Sequence, residues 1–179
     1  MNQLGDGLEA AGFSPDDVTK LRAFAGLKTI KAVLNGYAKI EIVKHLVDLD
    51  ANPFVPDGWK VEEHTIGGQF EWSPTAVALY LSTKQQNGGV IGGHDLRKEM
   101  KNQRVFNANL LDFLLANPHL IPEEWKGKYV FFWGTIYRSS DGNLCVRFLR
   151  WVGDEWFWYY SWLDSAWNAD YPAAVPASN

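Results

Sequence analysis

Cysteine is almost missing from this chain: Cys145 stands alone in 179 residues. A lone thiol cannot close an intramolecular disulfide, so the fold is not stapled, and a reducing compartment is the simpler setting. Basic excess is missing too, since 17 Lys and Arg face 21 Asp and Glu, for a net charge of −4. That argues against a nucleic-acid binder, which holds phosphates with a basic patch, and no Lys/Arg run supplies one locally. No apolar run approaches the roughly 18 residues that a membrane span needs. The first eleven residues carry acids and glycines where a secretory signal has a basic and then an apolar stretch. A cytoplasmic location is therefore the default expectation.

Aromatic side chains are what the chain has in quantity: 15% of residues, nine of them Trp, within a hydrophobic share of 46%. That suffices to bury a sizeable core in one domain with a small appendage. Ser14-Pro15-Asp16-Asp17 reads as a helix start, with Ser as N-cap and acids in the first turn. Val18, Leu21 and Phe24 follow at helical spacing. A second amphipathic stretch over 30–34 stops at Asn35-Gly36, a C-cap signal. Residues 40–49 permit helix or strand. The turn-rich Asn52-Pro53-Phe54-Val55-Pro56-Asp57-Gly58 marks the expected boundary between a small helical region, 1–57, and a larger domain, 58–179.

Residues 59–72 read as extended with a break at Gly67-Gly68, and 77–81 as a strand. A Gly-rich loop over 85–93 leads into a helix opened by Gly92-Gly93-His94-Asp95, with Asp95 near its positive end. Asn107-Ala108-Asn109 caps a helix whose apolar face is Leu110, Leu111, Leu114 and Leu115, ending at Asn117-Pro118. Pro122-Glu123-Glu124-Trp125 adds a short helical turn. After Lys128 the pattern becomes β: 129–138, an Asp141-Gly142 hairpin signal, 144–151, a turn at Gly153-Asp154, then 155–161. Helices followed by strands on short turns specify an α+β fold, N-terminal helices first, then an antiparallel β meander with irregular C-terminal loops.

Side chains alternate across a strand. Leu149 and Trp151 therefore share one face with Trp156 and Trp158, and Phe148, Arg150, Phe157 and Tyr159 share the other. The first set reads as core and the second as exposed, because Tyr, Trp, Arg, Ser and Asn are residues that binding surfaces use.

Residues with catalytic potential form no recognisable pattern. Four His and one Cys show neither CxxC nor HExxH spacing, so no metal is expected. His94-Asp95, Asp112 and His119 read as helix-start and loop residues making local hydrogen bonds. Glu62-Glu63-His64 reads as a solvated strand end. The glycines over 88–93 lack the Lys-Ser/Thr of a phosphate loop. Cys145, in mid-strand, reads as a buried and inert thiol. No cofactor and no catalytic residue is expected.

The segment Val146-Arg147-x-Leu149-x-Trp151-x-Gly153-x-x-Trp156-x-Trp158-x-x-x-Trp162-Leu163-x-x-x-Trp167, then Pro172-Ala173-Ala174-Val175-x-Ala177-Ser178, resembles the C-terminal region of the variable proteins of diversity-generating retroelements. Asn107-Ala108-Asn109, Leu120-Ile121-Pro122-Glu123-Glu124-Trp125-Lys126-Gly127 and Phe132-Trp133-Gly134-Thr135-Ile136-Tyr137-Arg138 are similar to the same group. The resemblance covers about 59–178 and is most specific after Val146. It implies a C-type lectin fold, in which surface positions are rewritten by adenine-directed reverse transcription of a template copy while a scaffold stays fixed. The implied scaffold is Leu149, Trp151, Gly153, Trp156, Trp158, Trp162, Leu163, Trp167 and the Pro-Ala-Ala run. The implied variable, ligand-facing positions, within about 146–177, are Phe148, Arg150, Val152, Asp154, Phe157, Tyr159, Tyr160, Ser161, Asp164, Ser165, Ala166, Asn168, Ala169, Asp170 and Tyr171. Glu155 is left unassigned. Calcium-dependent lectins of that fold carry disulfides and convergent oxygen ligands. Trp167-Asn168-Ala169-Asp170 has no second cluster to complete such a site, so calcium-mediated sugar binding is not expected.

The resulting expectation is a binding protein and not an enzyme, monomeric, with a protein or other macromolecule as its ligand. The alternative is a non-diversified carbohydrate-binding module stacking sugars on Tyr159, Tyr160 and Tyr171. A hydrolase built on His94 or His119 is a distant third.

Overall fold

The computed structural model describes residues 3–41 and 43–177. Ser178 of the terminal motif and Ile42 of the ambiguous 40–49 stretch lie outside them. The chain divides into two compact units, Met1–Val43 and Lys44–Asn179.

The first unit holds α1 (Gln3–Ala10), α2 (Pro15–Ala23) and α3 (Leu27–Leu34). α2 opens on a reciprocal capping box. Ser14 Oγ accepts from the Asp17 N–H at 3.2 Å, and the Asp17 carboxylate accepts from the Ser14 N–H at 3.0 Å. α3 stops at Asn35, where the sequence places its end. α1 forms against its composition, since Gly5 and Gly7 are poor helix formers. None of the three helices contains a buried residue.

The second unit runs β1 (Leu46–Asp48), β2 (Lys60–His64), β3 (Gln69–Glu71), β4 (Val77–Tyr80), β5 (Ile91–Gly92), α4 (Gly93–Met100), α5 (Ala108–Ala116), β6 (Val130–Phe131), β7 (Thr135–Arg138), β8 (Leu144–Val152), β9 (Glu155–Trp162), β10 (Ala166–Trp167) and β11 (Ala173–Pro176). The class is α+β. β1 pairs antiparallel with β3, so the division falls ahead of the 52–58 turn where composition suggests it. Residues 44–57 belong with the second unit because Val47 and Leu49 are part of its core.

One curled, mixed sheet carries the unit, in the order β2-β7-β8-β6-β11-β4, with β9 on the other side of β8. β7, β8 and β9 form the expected antiparallel meander. Two features differ from expectation. The 129–138 stretch is not one strand but two, β6 and β7, parted at Trp133-Gly134, and both lie along the same side of β8. The tail after Trp162 is also more regular than its small and polar residues suggest. β10 pairs with β5, and β11 pairs antiparallel with β4 and parallel with β6. Backbone ladders, the buried Ala173 and Ala174 and only two buried large side chains, Leu163 and Trp167, fix that tail, so most of its composition does not announce it.

α5 packs the apolar face of Leu110, Leu111 and Leu114 against Leu149 of β8, with Trp156 and Trp158 of β9 beside them. Asn107 caps α5, its side chain accepting from the Asn109 N–H at 3.1 Å. The amide nitrogen of the same Asn107 donates to the Leu49 and Thr65 carbonyls at 2.7 and 2.9 Å, tying the helix to both loops. Cys145 is fully buried, and burial pushes its thiol up to about 12, which makes a thiolate nucleophile inaccessible at neutral pH.

Among these apolar groups sits Arg147, 1% exposed. Its guanidinium donates to both Asp112 carboxylate oxygens, at 3.1 and 2.6 Å, and lies 4.4 Å from the Trp158 ring centroid. Removing one partner of a buried pair strands the other charge. Asp112→Ala should therefore cost about 3 kcal/mol, read as a lower urea midpoint at unchanged slope.

Candidate ligand-binding surface

β8 and β9 pair over their whole length, with Phe148 opposite Tyr159, Arg150 opposite Phe157, Leu149 opposite Trp158 and Trp151 opposite Trp156. Cross-strand partners share a face, so the two sets named from alternation stand on opposite sides of the hairpin. A tight turn makes this register possible. Gly153 adopts φ +62°, a left-handed conformation that a side chain disfavours, which gives this exposed residue a conformational role.

The face away from α5 is a ladder of rings in two rungs. β6 lies opposite β8 with Phe131 across from Phe148, so one rung runs Phe131–Phe148–Tyr159, with centroid separations of 4.6 and 6.0 Å. In the other, the Arg150 guanidinium lies 4.8 Å from the Tyr129 ring and 5.5 Å from that of Tyr159, a cation held between two π faces. Burial declines outward along each rung. Phe148 is 7% exposed, whereas Phe157 and Tyr159 are 40% and 43% exposed.

Phe148 is therefore a correction: expected to face a ligand, it is buried. The sequence places the 129–138 stretch beside its strand but does not say which of its side chains share the outer face; β6 brings Phe131 and Tyr129 over its ring. Tyr160 is 40% exposed, as Phe157 is, but lies on the opposite face from Tyr159 and meets Trp59 and Trp162 edge-on, each at 4.8 Å. Tyr159, Tyr160 and Tyr171 thus do not form one stacking platform for a sugar.

Of the other positions expected to face a ligand, Val152, Asp154, Asp164, Ala166, Ala169 and Asp170 are exposed, and Arg150, Ser161, Ser165, Asn168 and Tyr171 are half-buried. Glu155 is exposed beside Val152. The residues named as scaffold divide differently. Leu149, Leu163 and Trp167 are buried, while Trp151, Trp156, Trp158 and Trp162 are half-buried. Trp151 is held by Trp156 at 5.3 Å and by the Lys126 ammonium 3.9 Å from its ring.

The loop that carries Asp164 to Tyr171 is anchored from below. Trp167 is wedged among Phe131, Trp133 and Tyr171 at 4.2, 4.9 and 5.9 Å. A Cβ on Gly93 would come within 2.5 Å of the Trp167 indole nitrogen and of the Leu163 carbonyl, so only glycine allows this approach. Buried Gln85 donates to the Asn168 and Tyr171 carbonyls at 2.7 and 3.1 Å. His94 Nε2 lies 3.1 Å from the Asp164 carboxylate, so its main contact is with this loop and not local.

No family model matches this chain, and no curated protein or solved structure does. Among the described residues no three His, Cys, Asp or Glu side chains converge as metal ligands would, and no helix is long and apolar enough to cross a membrane.

Glu62-Glu63-His64 ends β2, with Glu62 exposed and Glu63 and His64 half-buried, and its acids are paired. Arg138 forks onto Glu62 at 2.8 and 3.0 Å and holds its carboxyl below the usual range. The Arg97 hydrogen bond, at 2.7 Å, does the same to Glu63. His64 Nδ1 lies 2.9 Å from Thr135 Oγ1, and burial lowers its pKa. Tyr129 and Gln85 were the residues missed. Tyr129 follows from alternation once β6 is known to flank β8, whereas nothing in the sequence distinguishes Gln85 from an exposed loop amide.

Two outcomes test this geometry. Phe157→Ala and Tyr159→Ala should each change stability by less than about 1 kcal/mol, and Phe148→Ala and Trp158→Ala should each cost about 3 kcal/mol in urea denaturation. Because the folded state favours neutral His64, the unfolded chain takes up its proton first. That contribution is complete above about pH 6.5 and fades as pH falls. The urea midpoint should therefore drop from pH 7 to pH 5, less so in His64→Gln.

Proposed function

We propose that the chain is a ligand-binding protein whose recognition residues lie on the outer face of β8 and β9 and on the adjoining 164–171 loop. The same proposal includes a C-type lectin-like scaffold and descent from the variable proteins of diversity-generating retroelements. One observation carries the reading: the strict parity of the hairpin, with Arg150, Phe157 and Tyr159 on the open side and Leu149, Trp156 and Trp158 toward α5. Substitution on the open side leaves the α5 side untouched, which is what a rewritable surface requires.

Three further features support it. Aromatic and Arg side chains gathered on an accessible face offer large contact area at low rotamer cost. β9 carries no strand on its outer edge among the described residues, so backbone donors and acceptors are open to a partner as well. An open face of this kind suits a macromolecule better than a small ligand, which favours an enclosing pocket. The candidate acid–base groups, by contrast, are occupied in holding the fold: Asp112 by Arg147, Glu63 by Arg97, His94 by Asp164. Binding without catalysis is the consistent reading.

Two experiments divide the proposal into its parts. Codons for Phe157, Tyr159, Asp164, Ala166, Ala169 and Asp170 randomised together should give a library in which most members unfold cooperatively and from which binders to chosen proteins can be selected. A library that mostly fails to fold removes the binding surface from consideration. The flanking DNA should hold a near-copy of the 146–177 coding stretch, differing mainly at adenines, beside a reverse-transcriptase gene. Without it the retroelement origin fails, whatever the library shows.

A further inference from the structure

At the far side of the sheet order from β9, separated from it by β7 and β8, a cleft of about 710 Å³ opens. β2, its connection to β3, the end of α4 and the 101–106 segment line it. The volume is in the range of small-molecule sites, which combine an apolar lining with a few converging polar groups. Buried Met100, Phe106 and Trp133 supply the apolar part.

Charge in the cleft runs against the chain as a whole. Three cations, Arg97, Lys101 and Arg104, line it against the single carboxylate of Glu63, in a protein of net charge −4. Glu63 accepts from Arg97 at 2.7 Å and pairs with Lys101 at 3.0 Å. Arg104 has no hydrogen bond or ion pair among the described residues, and the backbone N–H groups of Arg104 and Val105 find no acceptor there either. Exposed arginines are often free, so the mark of a site is the combination: these unpaired donors line a cleft whose wall is the buried apolar surface of Met100, Phe106 and Trp133.

We infer that this cleft binds a small organic oxyanion with a flat apolar body, the oxyanion held by Arg104 and Lys101 and the body lying against Met100, Phe106 and Trp133. Glu63, paired with Arg97 and Lys101, limits the affinity for small inorganic anions that bring no apolar area. This site is independent of the β8–β9 face and of what binds there.

Calorimetric titration of the full chain with 1-naphthyl phosphate, 1-naphthoate, 1-naphthol and inorganic phosphate tests it. One naphthyl phosphate or naphthoate should bind per chain, with naphthol and inorganic phosphate at least about tenfold weaker, the loss that a missing charge-assisted contact or apolar body brings. Preference between the two anions identifies phosphate or carboxylate as the natural group. Arg104→Glu should weaken binding about tenfold or more at an unchanged urea midpoint, and Arg104→Lys should retain most of it. Absence of saturable binding, equal affinity for naphthol, or indifference to Arg104→Glu would overturn the inference. So would loss of binding in Phe24→Ser, which would assign the probe to the apolar groove lined by Phe13, Leu21 and Phe24 in the first unit.

Discussion

Arg147 sits in β8, a strand with neighbours on both sides, and its guanidinium is buried inside the molecule, paired through both terminal nitrogens while Nε has no acceptor. Asp112 of α5 takes it from one direction, and the rings of Trp158 and Phe54 cover it at 4.4 and 5.2 Å. A charge removed from water this completely is tolerated only where partners of fixed geometry surround it. The pair therefore specifies how α5 lies on the sheet, and α5 in turn decides which side of the β8–β9 hairpin is inside. Once Leu149 and Trp158 are committed to α5, the pleat commits Arg150, Phe157 and Tyr159 to the other side. A shift of one residue in β9 would exchange the two sets, so the buried cation acts on the open face through register.

Two cations three residues apart on opposite faces of β8 thus meet opposite surroundings. Arg147 is closed in by a carboxylate and rings, whereas Arg150 is flanked by Tyr129 and Tyr159 with no carboxylate bound to it among the described residues. Cation–π contact orients a guanidinium while leaving its N–H groups free to donate. Arg150 is accordingly oriented by the two rings without being consumed by the fold.

The hairpin was legible because short-range rules govern it: Asp-Gly and Gly-Asp turns, alternation of side chains, and strands long enough to show it. Ser14 and Asn107 as caps, and the ends of α3 and α5, were legible for the same reason. What failed depended on long-range pairing. Phe148 is buried by β6, the tail is ordered by β4 and β5, and residues 44–57 join the second unit through β3. No local pattern encodes those partners, since β6 is only two residues long and carries no alternation to read. Tyr160 is accessible but faces away from Tyr159, as the alternation along β9 requires.

β9 brings the remaining constraint. An eight-residue edge strand with exposed rings and neither Lys nor Pro is a template for uncontrolled strand pairing. The acids at its approach, Asp154 and Glu155, and the deviation of its far end toward Trp59 through Tyr160 and Trp162 are the only guards in view among the described residues. The packing of Tyr160 and Trp162 against Trp59 lies on the face away from Phe157 and Tyr159, so substitution on the outer face leaves this guard in place, and it serves solubility as well as stability.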